Sequence, residues 1–197
     1  MLKFTFNILF LFIFLPLSQL NANPVDTVDT YHDRLLASIT QSAGKSDQAR
    51  FTALAPAMDA AFDFESMIKT AAGTYWSKAS DSARQALLAA FRRVSIATYA
   101  DQFAGVKDGR FVIDGSRTGP RGLKLVDSRL KTADEDVSLT YVVRNRGGNW
   151  LIIDVLLQGG ISELALRASE YASTLKNGGT EALTQTLNAQ AASLLAN

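Results

Sequence analysis

The stretch NWLIIDVLL, residues 149–157, places the strongest constraint on how this chain can fold. It has the length of a β-strand, and apolar side chains occupy both sets of its alternating positions. The two predicted faces are Trp150, Ile152, Asp154 and Leu156, and Leu151, Ile153, Val155 and Leu157. A strand that is apolar on both faces must be covered on both faces. The rest of the chain therefore has to supply packing on each side of it.

Three further segments share the two-residue period of a strand. They cover residues 110–117, 122–130 and 136–144, and short polar turns join them to one another and to 149–157. Short connections favour antiparallel neighbours. In the third segment Val137, Leu139, Tyr141 and Val143 share one apolar face. The pattern predicts a four-stranded antiparallel sheet.

Helical spacing dominates before and after these strands. The predicted helices cover 25–42, 49–60, 62–76, 80–103, 162–176 and 181–195, with Asp63 and Ser162 as N-caps and Gly178-Gly179 as a break. Helices, then strands, then helices is an α+β order rather than alternating βα units. We expect a single domain in which about six helices wrap the sheet, loosely like an NTF2-like cone.

The first residues have the layout of a secretory signal peptide. Lys3 precedes an apolar run from Ile8, and small residues follow up to Ala22. The apolar run is short for a membrane span, which needs roughly 20 residues. The sequence predicts cleavage after Ala22, with residues 23–197 as the single domain.

Composition narrows the class of protein further. The chain has 20 basic and 19 acidic residues, so it has no global field that would attract nucleic acid. It has no cysteine, which excludes disulfides and a thiol nucleophile. An exported chain without cysteine is compatible with a Gram-negative periplasm.

Few residues point to catalysis. His32 is the only histidine, lies between Asp29 and Asp33 on a predicted helix, and is interpreted as an exposed residue without a site. The acidic run 134–136 is interpreted as a solvated hairpin turn. The sequence has no phosphate-binding loop, dinucleotide motif or nucleophile elbow. We therefore predict no catalytic residue, no metal and no cofactor.

Asp154 is the one acid in an otherwise apolar strand, and two roles are open to it. Its oxygens could accept backbone N–H groups or pair with an arginine, which would join the strand to the helix after Ser162. Alternatively, burial could raise its pKa for acid–base work with Tyr99 or Tyr141. The position close to a turn favours the structural role.

The order of several motifs resembles the MlaC family, also known as toluene-tolerance proteins. The motifs are FDFESM (62–67), GTYW (73–76), ATYADQF (97–103) and NWLIIDVLLQGGISELALRASEY (149–171). The most specific part of the resemblance is carried by Trp150, Asp154, Val155, Gly160 and Ser162. The resemblance covers nearly all of residues 23–197.

This resemblance implies a soluble periplasmic lipid carrier that serves an inner-membrane ABC transporter complex, together with an outer-membrane lipoprotein or efflux partner. Family members hold lipid tails between the sheet and the helices and perform no covalent step. The ligand implied is a phospholipid or a hopanoid, because two stretches of the chain look closer to the hopanoid-associated HpnM branch. Transferring a lipid with roughly 30 methylenes into water costs about 25 kcal/mol, which is why such a carrier is needed.

The predicted lipid-binding residues are those on apolar faces of the predicted helices and strands that face one another. They are Phe64, Met67, Phe91, Tyr99, Phe103, Leu139, Tyr141, Ile153, Val155 and Leu157. The same residues could instead form an ordinary solid core. Scattered basic residues, namely Arg92, Arg117, Arg121 and Lys124, could approach an anionic headgroup or could simply be solvated.

Two other functions remain open at this point. One is an NTF2-like small-molecule enzyme with Asp154 as its base and a tyrosine as its acid. The other is a periplasmic protein-interaction adaptor with a solid interior.

Overall fold

The computed structural model describes residues 23–106, 108–133 and 135–196, and the predicted signal peptide at residues 1–22 lies outside this range. The described helices are α1 (Pro24–Gln41), α2 (Asp47–Ala61), α3 (Phe64–Ala72), α4 (Thr74–Lys78), α5 (Asp81–Gln102) and α6 (Glu163–Leu194). The described strands are β1 (Arg110–Thr118), β2 (Lys124–Lys131), β3 (Asp136–Arg146), β4 (Asn149–Leu157) and β5 (Ile161–Ser162). The α+β class predicted from the sequence is confirmed.

The strands form one antiparallel sheet in the order β1-β2-β3-β4-β5. The prediction of four strands is therefore one short. Gly159 and Gly160 adopt positive φ angles of 79° and 80°, which glycine alone reaches without strain. They turn the chain back so that β5 pairs with Leu156 and Leu157 at the end of β4.

A β-bulge in β4 changes which of its residues face the core. Val142 pairs with Asp154 while the next residue, Val143, pairs with Ile152, so Ile153 is the extra residue. The predicted strict alternation, with Ile152 and Val155 on opposite faces, is therefore wrong. Both side chains are buried in the core, because the bulge moves the strand by one position between them.

The helices begin where the sequence places their caps. The side chains of Asp63, Ser80 and Ser162 accept hydrogen bonds from backbone N–H groups three residues later, at 3.0, 3.2 and 2.9 Å. Gly73, with φ of 53°, ends α3 and divides the predicted 62–76 helix into α3 and α4. The predicted break at Gly178-Gly179 is a kink at Gly179 within α6.

The core lies between one face of the sheet and the helices that cover it. Side chains from α1, α2, α3, α5 and α6 meet there with the inward residues of β2, β3 and β4. No helix among the described residues is both long enough and apolar enough to cross a membrane. The inner face of the sheet and the helices opposite it therefore enclose the region in which a site was predicted.

Candidate functional site

A connected group of aromatic rings fills the space between the sheet and the helices. The Tyr31 ring lies edge-on to Phe62 at 5.1 Å, and Phe62 lies edge-on to Tyr99 at 5.9 Å. Further contacts between rings extend this series on both sides. We call its members the aromatic cluster: Tyr31, His32, Phe62, Phe64, Phe91, Tyr99, Phe103, Phe111 and Tyr141.

The structure brings most of the predicted lipid-binding residues to this region. Those buried in the core are Phe64, Met67, Phe91, Tyr99, Tyr141 and Val155. Those partly buried against it are Phe103, Leu139 and Leu157. Ile153 is half-buried and does not belong to the core, because it is the bulge residue of β4. The other nine residues form a common interior, and whether they bind lipid stays a prediction.

His32 is buried, and the prediction that it is exposed is wrong. Its side chain is 2% exposed, its ring stacks on Phe111 at 3.9 Å, and its Nε2 lies 3.1 Å from the Tyr141 hydroxyl. Burial lowers the pKa of His32 to about 4. Its spacing was the missed signal: His32 follows Val28 by four residues and precedes Leu35 by three, which places it on the apolar stripe of α1.

A carboxyl group closes one side of the cluster. The Tyr99 hydroxyl donates to Glu163 Oε2 at 3.2 Å. Burial raises the pKa of Glu163, with a smaller contribution from Asp154, although Arg167 acts in the opposite direction. Burial likewise raises the phenol pKa values of Tyr31, Tyr99 and Tyr141, and the charge of Glu163 adds to each.

The charge of Arg167 acts on this carboxyl group. Its guanidinium carbon lies 5.9 Å from the centre of the Phe91 ring, a cation–π distance. Burial acts to lower the pKa of Arg167, but Tyr171 and Glu163 more than offset it, so its pKa is raised. Neither Glu163 nor Arg167 was among the residues predicted from the sequence. Their four-residue spacing on the helix after the apolar strand was the available signal.

Several polar atoms of this interior have no hydrogen-bond partner among the described residues. They are Tyr31 Oη, His32 Nδ1, Ser95 Oγ and Ser128 Oγ, and all four residues are buried. Leaving a buried polar atom unpaired typically costs about 1–3 kcal/mol. The interior thus combines a large apolar surface with unused hydrogen-bonding capacity, which suits a largely apolar ligand with a polar group.

Asp154 joins β4 to α6, as its structural interpretation predicted. Its Oδ2 accepts from the Ser162 hydroxyl at 2.6 Å, and its Oδ1 accepts from the backbone N–H groups of Leu164 at 3.1 Å and Val155 at 2.8 Å. Tyr99 bonds to Glu163 and Tyr141 lies against His32, so neither hydroxyl is bonded to Asp154. These hydrogen bonds give the Asp154 carboxylate a structural role, in which it holds the start of α6 against the end of β4.

We expect Asp154→Asn to lower the free energy of unfolding by about 1–3 kcal/mol, because one acceptor oxygen facing Ser162 is lost. Urea unfolding of the two proteins measures the difference. Asp33→Asn is the matched control, since Asp33 is exposed on α1 and its substitution should change stability by less than about 0.5 kcal/mol. An Asp154→Asn protein as stable as the parent would contradict this role and would favour the enzyme alternative.

An open groove adjoins the aromatic cluster. It has a volume of about 650 Å³ and lies between α1, α2 and the β3–β4 turn. Its walls include Tyr31, Ala57, Ala61 and Trp150, and Arg34 and Arg146 lie along it. Because Tyr31 belongs to both the groove and the aromatic cluster, its side chain separates the two.

The basic residues considered from the sequence lie elsewhere. Arg92 forms an ion pair with Asp59, and Arg117 forms one with Asp127 at 3.1 Å. Lys124 donates to the Thr118 hydroxyl at 2.8 Å. These contacts hold surface elements together.

Comparisons with known proteins agree with this geometry. The family model described as MlaC protein matches residues 29–189. A solved protein from Ralstonia solanacearum, described as a phospholipid-binding protein in complex with a phospholipid, is similar with a TM-score of 0.78 and 26% sequence identity. That likeness covers 88% of this chain and 99% of the other. The comparison with curated proteins gives no match.

Proposed function

Because this chain belongs to the MlaC family, we propose that it is a periplasmic carrier that binds a membrane lipid between its sheet and its helices. The observation that carries the proposal is the likeness, over 88% of the chain, to a protein solved with a phospholipid. The aromatic cluster supports it, because it offers apolar surface at the position where tails would lie. Each buried methylene contributes about 0.8 kcal/mol, so such a surface can hold a lipid without any covalent step.

In this proposal the lipid enters the interior of the protein through the groove beside α1. Its volume of about 650 Å³ is within the usual range for ligand sites. Its apolar wall residues include Ala57 and Trp150, and Arg34 can face an anionic headgroup. Arg146 can also do so, because its side chain stays 57% exposed beside its ion pairs with Asp63 and Glu65. Rotation of Tyr31 would connect the groove to the aromatic cluster, whose rings are packed in this structure. Tails would then replace ring contacts as the helices part from the sheet.

The proposed carrier exchanges its lipid with membrane-bound partners. The partners are an inner-membrane ABC transporter complex and an outer-membrane lipoprotein or efflux partner, and the lipid is a phospholipid or a hopanoid. A ligand held by many methylenes leaves slowly unless an open state of the carrier is stabilised. Docking to a partner that binds the open state better would supply that release.

The test is site-specific photo-crosslinking in cells, followed by solvent extraction and mass spectrometry. A benzophenone amino acid replaces Phe103, which is half-buried at the edge of the aromatic cluster, or Tyr75, which is 38% exposed on α4. We expect a lipid adduct at position 103 and none at position 75. The mass of the adduct identifies the lipid class.

The adaptor alternative gives a different result. A protein with a permanently solid interior would yield no lipid adduct at position 103 and would stay empty after incubation with phospholipid and with hopanoid. That outcome would overturn the carrier function. Protein adducts without lipid adducts would favour the adaptor.

A further inference from the structure

Three of the four buried residues with unpaired polar atoms lie in or beside one region of the aromatic cluster. His32 contacts Phe111 on β1 and Tyr141 on β3. In the sheet register Phe111 pairs with Leu130 and Tyr141 pairs with Val126, so Ser128 on β2 lies midway between the two positions. Ser128 is 2% exposed and its hydroxyl is unpaired. His32 and Ser128 therefore face the same space.

Tyr31 completes this arrangement from the neighbouring position on α1. Its ring lies 6.1 Å from the Tyr141 ring and 6.1 Å from the His32 ring, and its hydroxyl is unpaired. A ligand with plain hydrocarbon tails would leave these three groups without hydrogen-bond partners in the lipid-bound state as well. The region is therefore built for a ligand that has a hydrogen-bonding group on its apolar part.

The burial of the region restricts that group to a neutral one, because a buried charge without a partner is costly. Tyr31, His32 and Ser128 are 1%, 2% and 2% exposed, and none of them supplies a positive charge, because burial keeps the His32 ring neutral. A phosphate would find no positive partner among these three groups, so it belongs outside the region.

A hydroxyl group fits the hydrogen-bonding pattern. Tyrosine and serine hydroxyls both donate and accept, and the neutral His32 ring presents either a donor or an acceptor at Nδ1 according to its tautomer. An ester carbonyl can only accept, whereas a hydroxyl can serve both kinds of partner. We infer that the lipid carried by this protein bears a hydroxyl group on its apolar body, held by Tyr31, His32 and Ser128. This inference rests on the proposed carrier function.

Two sources could supply such a hydroxyl, a hydroxylated acyl chain or a polycyclic alcohol, and two matched pairs of probes distinguish them. One pair is distearoyl phosphatidylglycerol and its counterpart with a 12-hydroxystearoyl chain. The other pair is cholestane and cholestanol. Native mass spectrometry of the delipidated protein measures the ratio of affinities within each pair. We expect the hydroxylated member of at least one pair to bind about tenfold more tightly or better.

Two variants locate the hydroxyl-binding groups. Tyr31→Phe and Ser128→Ala should each reduce the affinity ratio severalfold, because each removes one hydrogen-bonding group. Tyr75→Phe, which changes an exposed tyrosine on α4, should leave the ratio unchanged.

The outcomes separate this inference from the carrier function. Equal affinity within both pairs would overturn the inference and leave the carrier function standing. A preference that survives both Tyr31→Phe and Ser128→Ala would overturn the assignment of the hydroxyl to this region. Failure to bind any of the four probes, or any extracted envelope lipid, would overturn the carrier function and the inference with it.

Discussion

Asp63→Ala should destabilise this protein by about 3 kcal/mol. Asp63 is 3% exposed and caps α3 by accepting from the Ser66 N–H, and the cap alone is worth about 1 kcal/mol. Its carboxylate also accepts from Arg144 at 3.0 Å and Arg146 at 3.3 Å, contacts between charged groups that add roughly 2 kcal/mol after discounting for the exposed guanidinium groups. The backbone N–H of Asp63 bonds to Ile152 O at 2.9 Å, so the same residue ties α3 to β4.

Thermal unfolding measures this effect. For a chain of this length about 3 kcal/mol corresponds to a loss of roughly 6–12 °C in Tm. Asp63→Asn separates the two contributions, because asparagine keeps the cap and loses the charge. Glu65→Ala is the control, since Glu65 is half exposed and its ion pair with Arg146 is 3.4 Å long. Equal losses for Asp63→Ala and Glu65→Ala would contradict the role assigned to Asp63.

The stability of the protein at low pH gives a second test of the role of Asp63. Burial opposes the charge of this carboxyl, but the Ser66 hydrogen bonds and the two arginines outweigh it and lower its pKa below 3.8. A lowered pKa contributes stability above the unfolded-state value, and that contribution is lost as the pH falls through the folded-state value. The difference between the parent and Asp63→Asn should therefore shrink below about pH 3.8.

Local signals in the sequence were sufficient for most of the fold. The starts of α3, α5 and α6 depend on Asp63, Ser80 and Ser162, each of which bonds to a backbone N–H group only three residues away. The joint between Asp154 and Ser162 spans eight residues and was predictable for the same reason. Such contacts follow from residue type and spacing alone.

Contacts between segments that are distant in the sequence could not be predicted from residue type and spacing. The bulge at Ile153 depends on how β4 pairs with β3, and no property of 149–157 by itself reveals it. The bond from Tyr99 to Glu163 joins residues 64 positions apart, and that from Arg144 to Asp63 joins residues 81 apart. The polar side of the candidate site is composed of contacts like these.

His32 represents a different kind of error. Its position on the α1 stripe was visible, but its polarity outweighed its spacing in the interpretation. A histidine loses its charge readily, so burial of the neutral ring is much less costly than burial of a fixed charge. The side chain can therefore serve as a core residue at neutral pH.

We expect this buried histidine to make the protein sensitive to acid. Burial lowers the pKa of His32 from 6.5 to about 4, so the unfolded chain binds its proton more tightly than the folded one. Stability is then unaffected by His32 above pH 6.5 and falls progressively between pH 6.5 and about pH 4. At 1.36 kcal/mol per pKa unit the total loss is about 3 kcal/mol.

Urea unfolding at several pH values, on the parent and on His32→Gln, isolates this contribution. Glutamine is neutral throughout and keeps an amide near the Tyr141 hydroxyl. Tyr31 and Tyr141 face His32 and stay protonated across this range, because their pKa values are raised. The raised pKa of Glu163 gives the opposite slope, with stability lost as the pH rises, but both proteins share it and it cancels. The parent should therefore lose about 3 kcal/mol more than His32→Gln from pH 7 to pH 4, and parallel pH profiles would mean that His32 is not held neutral in the core.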